Sequence, residues 1–449
     1  MSRRELAGWG RTSPSASDVW TPVTADEAVA ALGAAPERGV VARGLGRSYG
    51  DAAQNAGGAV IDATASTGVK AFDEESGLLT VAAGTSLDDI MRWFVPRGWF
   101  VPVTPGTRRV TVGGAIASDI HGKNHHRAGT WCAHVRRMRL ATPALGAIDV
   151  APDREADVFW ATAGGMGLTG VVLDATVQLS PIATSRALVD TDRTETLADC
   201  MDLLAAGDDH YEYTVAWVDL LPLRGGVGRS VITRGRFARV DELPASERRQ
   251  PLAFAPQALA TVPPVIPGGL LNRWSIQAFN EAWWRKAPRR RSDEIQSIPR
   301  FFHPLDGVED WNRLYGPRGF LQWQVVVPFG AETVIQAIAD AFAAARVPTL
   351  IGVLKRFGAA NPGPLSFPIP GWTLSLDIPA GVSGLGALLD RLDAQVAEAG
   401  GRIYLAKDSR MRPELFPTMY PRLDEWRAVR RRVDPDGVIR SDLARRLGL

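Results

Sequence analysis

Three histidines and a lysine fall within six residues, His121-Gly122-Lys123-Asn124-His125-His126. Imidazole titrates near neutrality and ligates metals, so the run suits proton handling, substrate orientation or metal binding. Apart from Asp119 it has no neighbouring carboxylate, and catalytic zinc patterns set their histidines on a helix around a glutamate. No metal is expected; a site beside a cofactor and a structural cluster remain. Lysine itself is rare. Lys70, Lys123, Lys286, Lys355 and Lys407 are the five in the chain, and Arg supplies the rest of the 51 basic residues. A lysine kept in such a chain is a candidate site residue.

The second signal is glycine. Loops at 44–50, 57–58, 84, 106, 113–114, 122 and 164–170 crowd the first 170 residues. Without Cβ atoms, backbone amides can close around a diphosphate and neutralise it with their dipoles. Each loop alone reads equally as a turn; seven together point to a large phosphate-bearing cofactor. Gly165-Met166-Gly167-Leu168-Thr169-Gly170 is a literal G-x-G-x-x-G, but a Rossmann site needs a strand before it and a helix after. Here a helix over 156–163 precedes and a strand over 171–179 follows. No P-loop sequence occurs.

These residues need strands and turns to hold them. Val40-Val41-Ala42-Arg43, 59–62 and 78–82 read as strands. Ser86 reads as an N-cap, with Asp88 and Asp89 in the first turn of a helix that stops before Pro96. The small-residue run 111–117 predicts a helix packed closely on a neighbour, and strands recur at 134–141 and 170–179. Past Pro181 the pattern changes. A helix at 194–206 precedes strands at 212–218, 229–236, 320–327, 350–357 and 372–378, with helices at 331–346 and 384–399: an α+β arrangement. Alternation turns Gln322 and Gln324 to one face and Trp323 to the other, while Lys355 and Phe357 share a face opposite Arg356. Such a face is a polar pocket wall or the outside of a sheet. The stretch 245–305, rich in Pro, Trp and Arg, reads as a long irregular, mobile segment of the length used for lids. Within it Trp283-Trp284-Arg285-Lys286-Ala287-Pro288-Arg289-Arg290-Arg291 carries five positive charges and no acid. It is a solvated charge run or a patch for anionic headgroups, where each basic residue is worth ~1 kcal/mol.

Composition excludes several classes. At 449 residues two domains are expected, and 45% hydrophobic with 22% charged residues is globular rather than disordered. A net charge of +2 gives no whole-chain field for nucleic acid. Cys132 and Cys200 are too few for a disulfide framework, which suits a reducing compartment. The first fifteen residues lack the apolar core of an export signal, and no apolar run is long enough to span a bilayer.

Ala42-Arg43-Gly44-Leu45-Gly46-Arg47-Ser48-Tyr49-Gly50-Asp51, Pro105-Gly106-Thr107, Val112-Gly113-Gly114-Ala115-Ile116-Ala117, His121-Gly122 and Gly164-Gly165-Met166-Gly167 together resemble the FAD-binding domain of the vanillyl-alcohol-oxidase superfamily. More narrowly, 43–51, Asp119-Ile120 with the histidine run, Gln322-Trp323-Gln324, 365–372 and Ala406-Lys407-Asp408-Ser409-Arg410 resemble the decaprenylphosphoryl-β-D-ribose 2′-oxidase family. The likeness runs from about residue 10 to the end, and the histidine run is its most specific part. It implies a two-domain α+β flavoprotein, with an FAD-binding domain over 1–185 and 402–449 and a substrate domain over 186–401. FAD would be held by Arg43, Gly44, Leu45, Gly46, Arg47, Ser48 and Tyr49, and by Gly106 and Thr107. Val112, Gly113, Gly114, Ala117, Ser118, His121, Gly122 and Asn124 would follow, then Gly167, Val171 and Lys407. Superfamily members often attach flavin through a His in a G-x-G-H-S-like turn. Arg47 stands there, no His precedes His121, and Cys132 lies outside the turn, so non-covalent FAD is expected.

By the same resemblance, the chemistry is oxidation of the 2′-hydroxyl of a polyprenyl-phosphate ribose to a keto sugar. An NAD-dependent keto-reductase partner would then complete an epimerisation for cell-wall arabinan. A cation beside reduced flavin is worth on the order of 3 kcal/mol in a dry site; Lys407 is expected to supply it, with His121 as the second catalytic residue. Aldonolactone oxidases carry His-Trp-Gly-Lys where this chain reads Tyr404-Leu405-Ala406-Lys407, and the missing His argues against a lactone substrate. Tyr49, Lys123, Trp217, Gln322, Gln324, Lys355, Phe357 and Ser375 are the expected substrate contacts, with Lys355 also suited to a phosphate. Well-known members carry Cys at the position of Ser375, so thiol-directed inhibitors should fail here. The proton acceptor that alcohol oxidation requires stays open among Lys407, His121 and solvent. Two rivals remain. A soluble oxygen-using alditol or sugar oxidase would not depend on a polyprenyl tail, and a non-catalytic flavin-binding partner of a reductase would not be bleached by substrate. The expected location is cytoplasmic or peripheral to the plasma membrane, with the periplasm as the family's alternative.

Overall fold

The structure, a computed structural model, describes residues 2–449. A four-stranded mixed sheet runs in the order Ser2–Leu6, Ser15–Trp20, Ala59–Asp62, Val40–Arg43. A five-stranded antiparallel sheet follows in the order Val69–Asp73, Leu78–Ala82, Val171–Gln178, Val135–Thr142, Gly146–Val150. Its alternation is visible in the chain: Leu79 and Val81 are fully buried, while Thr80 meets Thr176 across the ladder at 2.8 Å. Ser86 caps the helix Leu87–Phe94, and Asp89 returns the bond to the Ser86 amide, a reciprocal capping box. Thr111 caps Val112–Ala117. A Cβ on Gly113 would stand 3.2 Å from that of Ala83, which is the close packing the small residues predict.

The third layer is an eight-stranded antiparallel sheet. Its order is Arg290–Ser297, Arg186–Thr194, Arg229–Phe237, Tyr213–Asp219, Gly352–Phe357, Gly371–Pro379, Phe320–Pro328, Arg402–Ile403. Trp323 packs its ring on Phe342 of the helix Glu332–Ala344 at 5.9 Å and donates to buried Asp393 of the helix Leu385–Glu398 at 2.8 Å. The helices therefore cover one face, and Gln322 and Gln324 turn to the other.

The segment 245–305 corrects the expectation of an irregular stretch. It contains the helix Arg273–Lys286, capped by Asn272, then the outermost strand Arg290–Ser297 and the short helix Ile298–Phe302. The charge run also has acids in space. Arg285 pairs with Glu281 at 2.6 Å and Arg291 with Glu294 at 3.3 Å, while Trp284 is stacked under Arg193 at 4.0 Å. An edge strand with charges on both faces is protected against further pairing, and it carries no alternating apolar signal. Its neighbour Arg186–Thr194 was equally unforeseen.

The carboxyl end returns to the beginning. Ile439 bridges Val40, Trp426 donates to the Ala161 carbonyl at 2.9 Å, and Arg446 reaches Asp51 at 2.9 Å and Asp408 at 2.8 Å. The Tyr49 amide donates to the Ala406 carbonyl at 2.9 Å. A Cβ on Gly50 would overlap the Asp408 carbonyl, so the turn and the segment 406–408 lie in direct backbone contact. Among the described residues no helix is long and apolar enough to cross a membrane.

Candidate active site

A cleft of about 1800 Å³, counting its open mouth, lies between the glycine loops and the uncovered face of the large sheet. The loops contribute residues 42–49, Pro105, Gly106, Thr107, Gly113, Gly114, Ala117, Ser118, His121, Gly167 and Val171. The sheet contributes Gln322, Gln324, Val353, Lys355, Ser375 and Asp377, and Tyr404, Ala406 and Lys407 complete the wall.

The cleft suits the expected FAD. The amides of Leu45, Gly46, Arg47, Ser48 and Gly106 donate to no acceptor among the described residues. A Cβ on Gly106 or Gly167 would project into open space. Buried Arg47 Nε and His121 Nδ1 have no partner in the protein. Four cations, Arg43, Arg47, Lys355 and Lys407, face a single lining carboxylate, so the cleft is positive and favours an anionic ligand. Arg43 is spent on structure, donating to the Ala53 and Ala7 carbonyls at 3.0 and 2.7 Å. Gly44 could not be another residue, because its Cβ would overlap the Thr111 hydroxyl.

Several expected contacts lie behind the wall instead. Val112 is fully buried in the core below the loops. Asn124 donates to the Pro102 carbonyl at 2.9 Å, and a Cβ on Gly122 would crowd Asn124 Oδ1 and the Thr104 carbonyl. These three shape the backbone without facing the cleft. Lys123 turns its ammonium to the Phe301 carbonyl and over the Phe301 ring, 4.3 Å from its centroid. Trp217 lies one strand out from Val353, its indole donating to the Leu350 carbonyl at 3.4 Å. Phe357 is the apolar support of His121, with ring centroids 4.8 Å apart. Conversely, Trp9, Leu305, Trp311 and Ile351 line the cleft without a chemical signature in the sequence. Trp9 arrives because its amide binds the Ser48 carbonyl at 2.8 Å, and it then carries the Arg47 guanidinium 3.8 Å above its ring.

The histidines serve three separate purposes. Gln324 Nε2 meets His121 Nε2 at 2.9 Å, the Gly358 amide donates to His125 Nδ1 at 3.1 Å, and His126 Nε2 meets the Tyr211 carbonyl at 2.9 Å. Among the described residues no group of potential metal ligands gathers. Burial and the nearby cations Lys355 and Lys407 hold His121 well below the usual imidazole range, so it is neutral.

Register aligns the reacting face. Gln322 lies opposite Asp377, Gln324 opposite Ser375, and Lys355 opposite Thr373. Asp377 was not foreseen, although the alternation that turns Ser375 to the cleft turns Asp377 with it. Its carboxylate is 1% exposed, accepts from Gln322 on Oδ1 and has no partner on Oδ2. Burial pushes it up to about 7. Lys407, 3.9 Å over the Tyr49 ring, is pulled down to about 7 by burial against the opposing pull of Asp377. Lys355, buried without a carboxylate, falls to about 8. A hydroxyl placed at Asp377 Oδ2 can give up its proton there, with amides and ammonium groups available to the other oxygens of a polyol.

Ser375 lines the cleft, whereas Cys132 and Cys200 are buried. The native fold should therefore titrate no thiol with a disulfide reagent, and Ser375→Cys should titrate one per chain, protected by FAD or substrate. A reactive thiol in the unmodified protein, or none in the variant, would contradict this placement.

Comparison with known proteins agrees with this geometry. The FAD binding domain family matches residues 16–149, and the D-arabinono-1,4-lactone oxidase family matches 384–447, the stretch that carries Lys407. Decaprenylphosphoryl-beta-D-ribose oxidase of Mycolicibacterium smegmatis is 45% identical over 99% of this chain and 98% of its own length. An uncharacterized protein of the mprA 5′ region of Streptomyces coelicolor is 45% identical over 79% of this chain and 97% of its own. Cytokinin dehydrogenase 7 of Oryza sativa subsp. japonica is 27% identical over 32% of this chain and 28% of its own length. Glycine loops, positive cleft and sequence identity along the whole chain lead to one statement: the chain is an FAD-dependent oxidoreductase and belongs to the decaprenylphosphoryl-β-D-ribose oxidase family.

Proposed function

We propose that the chain oxidises the 2′-hydroxyl of decaprenylphosphoryl-β-D-ribose, or a close polyprenyl-phosphate pentose, to the 2′-keto sugar. The observation that carries this reading is the buried Asp377 carboxylate, held on Oδ1 by Gln322 and without a protein partner on Oδ2, on a sheet face lined by Gln322, Gln324 and Lys355, opposite the cofactor loops. FAD, when bound, supplies the two-electron acceptor. Asp377 takes the hydroxyl proton, Gln322 holds that carboxylate in place, and Lys407 keeps a positive charge beside both. Gln324 and His121 form a neutral donor–acceptor pair that orients the sugar. Residues 1–185 with 402–449 act as the FAD-binding part and 186–401 as the substrate part. An NAD-dependent keto-reductase would consume the keto sugar.

The test is anaerobic reduction of the bound flavin, followed by its absorbance. Decaprenylphosphoryl-ribose should bleach it, while free ribose should be poor. Asp377→Asn should keep FAD and slow bleaching on the order of 10²–10⁴-fold. Because the reaction needs Asp377 ionised and Lys407 protonated, kcat/KM should peak near pH 7 and fall on either side of it. Equal bleaching by free ribose, or an Asn variant as fast as the parent, would overturn the reading.

FAD is held without a covalent bond. Arg47 occupies the attachment turn and neither cysteine lines the cleft. Acid precipitation should leave the yellow colour in the supernatant; colour retained in the pellet would contradict this.

The substrate class implies peripheral contact with the plasma membrane. Residues 251–272 contain no charge, Leu259, Val265, Leu270, Trp274, Phe279 and Trp283 are exposed, and the basic residues Arg285, Lys286, Arg289, Arg290 and Arg291 follow in sequence. Vesicles containing anionic lipid should sediment the protein, neutral vesicles less so, and Trp274→Ser with Phe279→Ser should abolish the difference. A double variant that sediments with anionic vesicles as fully as the parent does would remove this surface from consideration.

A further inference from the structure

Asp306 touches the cofactor loop from far along the chain. It sits on the short turn Pro304–Gly307 and is 5% exposed. Its Oδ1 accepts from the Thr107 hydroxyl at 2.6 Å, and its Oδ2 accepts from the Arg108 amide at 2.8 Å. The fully buried Arg108 guanidinium stands 3.5 Å from Oδ2 and is held on its other side by Asp88. Thr107 Oγ1 in turn accepts from the Arg109 amide at 3.1 Å. Two flanking contacts extend the seam: His303 Nε2 meets Thr104 Oγ1 at 2.7 Å, and Arg109 pairs with Glu309 at 2.7 Å. Pro105 and Gly106, the residues between these held points, face the cleft, as does Leu305 on the opposing segment.

The same segment carries a second load. Ala260 pairs with Val308, the Leu259 amide donates to the Gly307 carbonyl at 2.8 Å, and the Val262 amide donates to the Glu309 carbonyl at 2.9 Å. The uncharged stretch that begins near residue 251 therefore hangs on 307–309, and 303–309 hangs on the cofactor loop.

We infer that Asp306 is a positioning residue, which fixes Gly106 and Thr107 for bound FAD and latches the 259–262 segment to the same loop. Removing its carboxylate leaves the part-buried Thr107 hydroxyl and the buried Arg108 amide without their acceptor and takes one of two counter-charges from a buried guanidinium, which is costlier than losing an exposed bond. Loop order and segment order then share one equilibrium. By linkage, whatever factor the latch adds to FAD affinity, FAD adds to the latch.

FAD affinity, read from flavin fluorescence on dilution of the holoprotein, should weaken on the order of tenfold to a hundredfold in Asp306→Ala. Asp306→Asn, which keeps one acceptor, should fall between. FAD should protect the Leu259–Trp274 stretch from chymotrypsin in the parent, and that protection should vanish in Asp306→Ala even at saturating FAD. Thr107→Val removes the hydroxyl bond from the other side; the double variant should bind FAD no worse than Asp306→Ala alone, as one shared interaction requires. FAD affinity within twofold of the parent, additive losses, or protection that survives in Asp306→Ala would each overturn the inference. A lowered melting temperature shared by apo- and holoprotein, with affinity unchanged, would reduce Asp306 to fold stability and overturn it as well.

Discussion

Direct backbone contact between the turn 44–50 and the segment 406–408 is the constraint on which the site rests. Gly50 leaves no room for a side chain against the Asp408 carbonyl, and the Tyr49 amide is tied to the Ala406 carbonyl. Arg446, from the last helix, closes the junction by pairing with acids on both sides of it, Asp51 and Asp408. Lys407 stands over Tyr49 because of this contact and not because of its own neighbours in sequence. Residues more than three hundred and fifty positions apart thus act as one rigid corner. The cofactor loop and the ammonium that faces it are therefore fixed relative to each other before any ligand arrives.

On that corner the electrostatics follow from dryness. A carboxylate and an ammonium, both removed from water, lose the preference for charge that each has in solution, and their ordinary titration ranges move toward one another. Asp377 and Lys407 meet near neutrality, the condition in which a proton can be taken or returned at little cost. His121, held neutral by burial first and by the neighbouring cations second, pairs with Gln324.

Much of this was legible where a rule has a short range. The N-cap Ser86 is a local hydrogen-bond rule, and the close packing of 111–117 follows from its small residues; the structure has both. The two-residue period of strands put Gln322 and Gln324 on one face and Lys355 opposite Arg356, and Gln322, Gln324 and Lys355 line the cleft. Asp377 obeyed the same rule but was hidden, because a carboxylate at a strand end looks like ordinary surface charge until burial is known. Lys123 and Trp217 were read from residue type, and type does not say whether a neighbour such as the Phe301 carbonyl will claim the side chain first, while Phe357, read by alternation onto the face of Lys355, packs under His121 instead of lining the cleft. The paired strands Arg186–Thr194 and Arg290–Ser297 lay beyond reach for another reason. Arg290–Ser297 is the charged margin of the sheet, and Arg186–Thr194, paired on both sides, buries only Ala187, Val189 and Thr191 among mostly charged and polar residues, a weak alternation that its distant partners complete.

The shortage of lysine has a chemical consequence. An amine whose proton is weakened by burial is a nucleophile at mild alkalinity, and Lys355 and Lys407 are two such amines on one cleft wall. Of the remaining three, Lys70 is engaged with Asp174, Lys123 is turned inward, and Lys286 is exposed. Acylating agents and imine-forming aldehydes of suitable shape therefore have covalent handles inside this hollow, so the amine gives ligand design the anchor that sulfur does not.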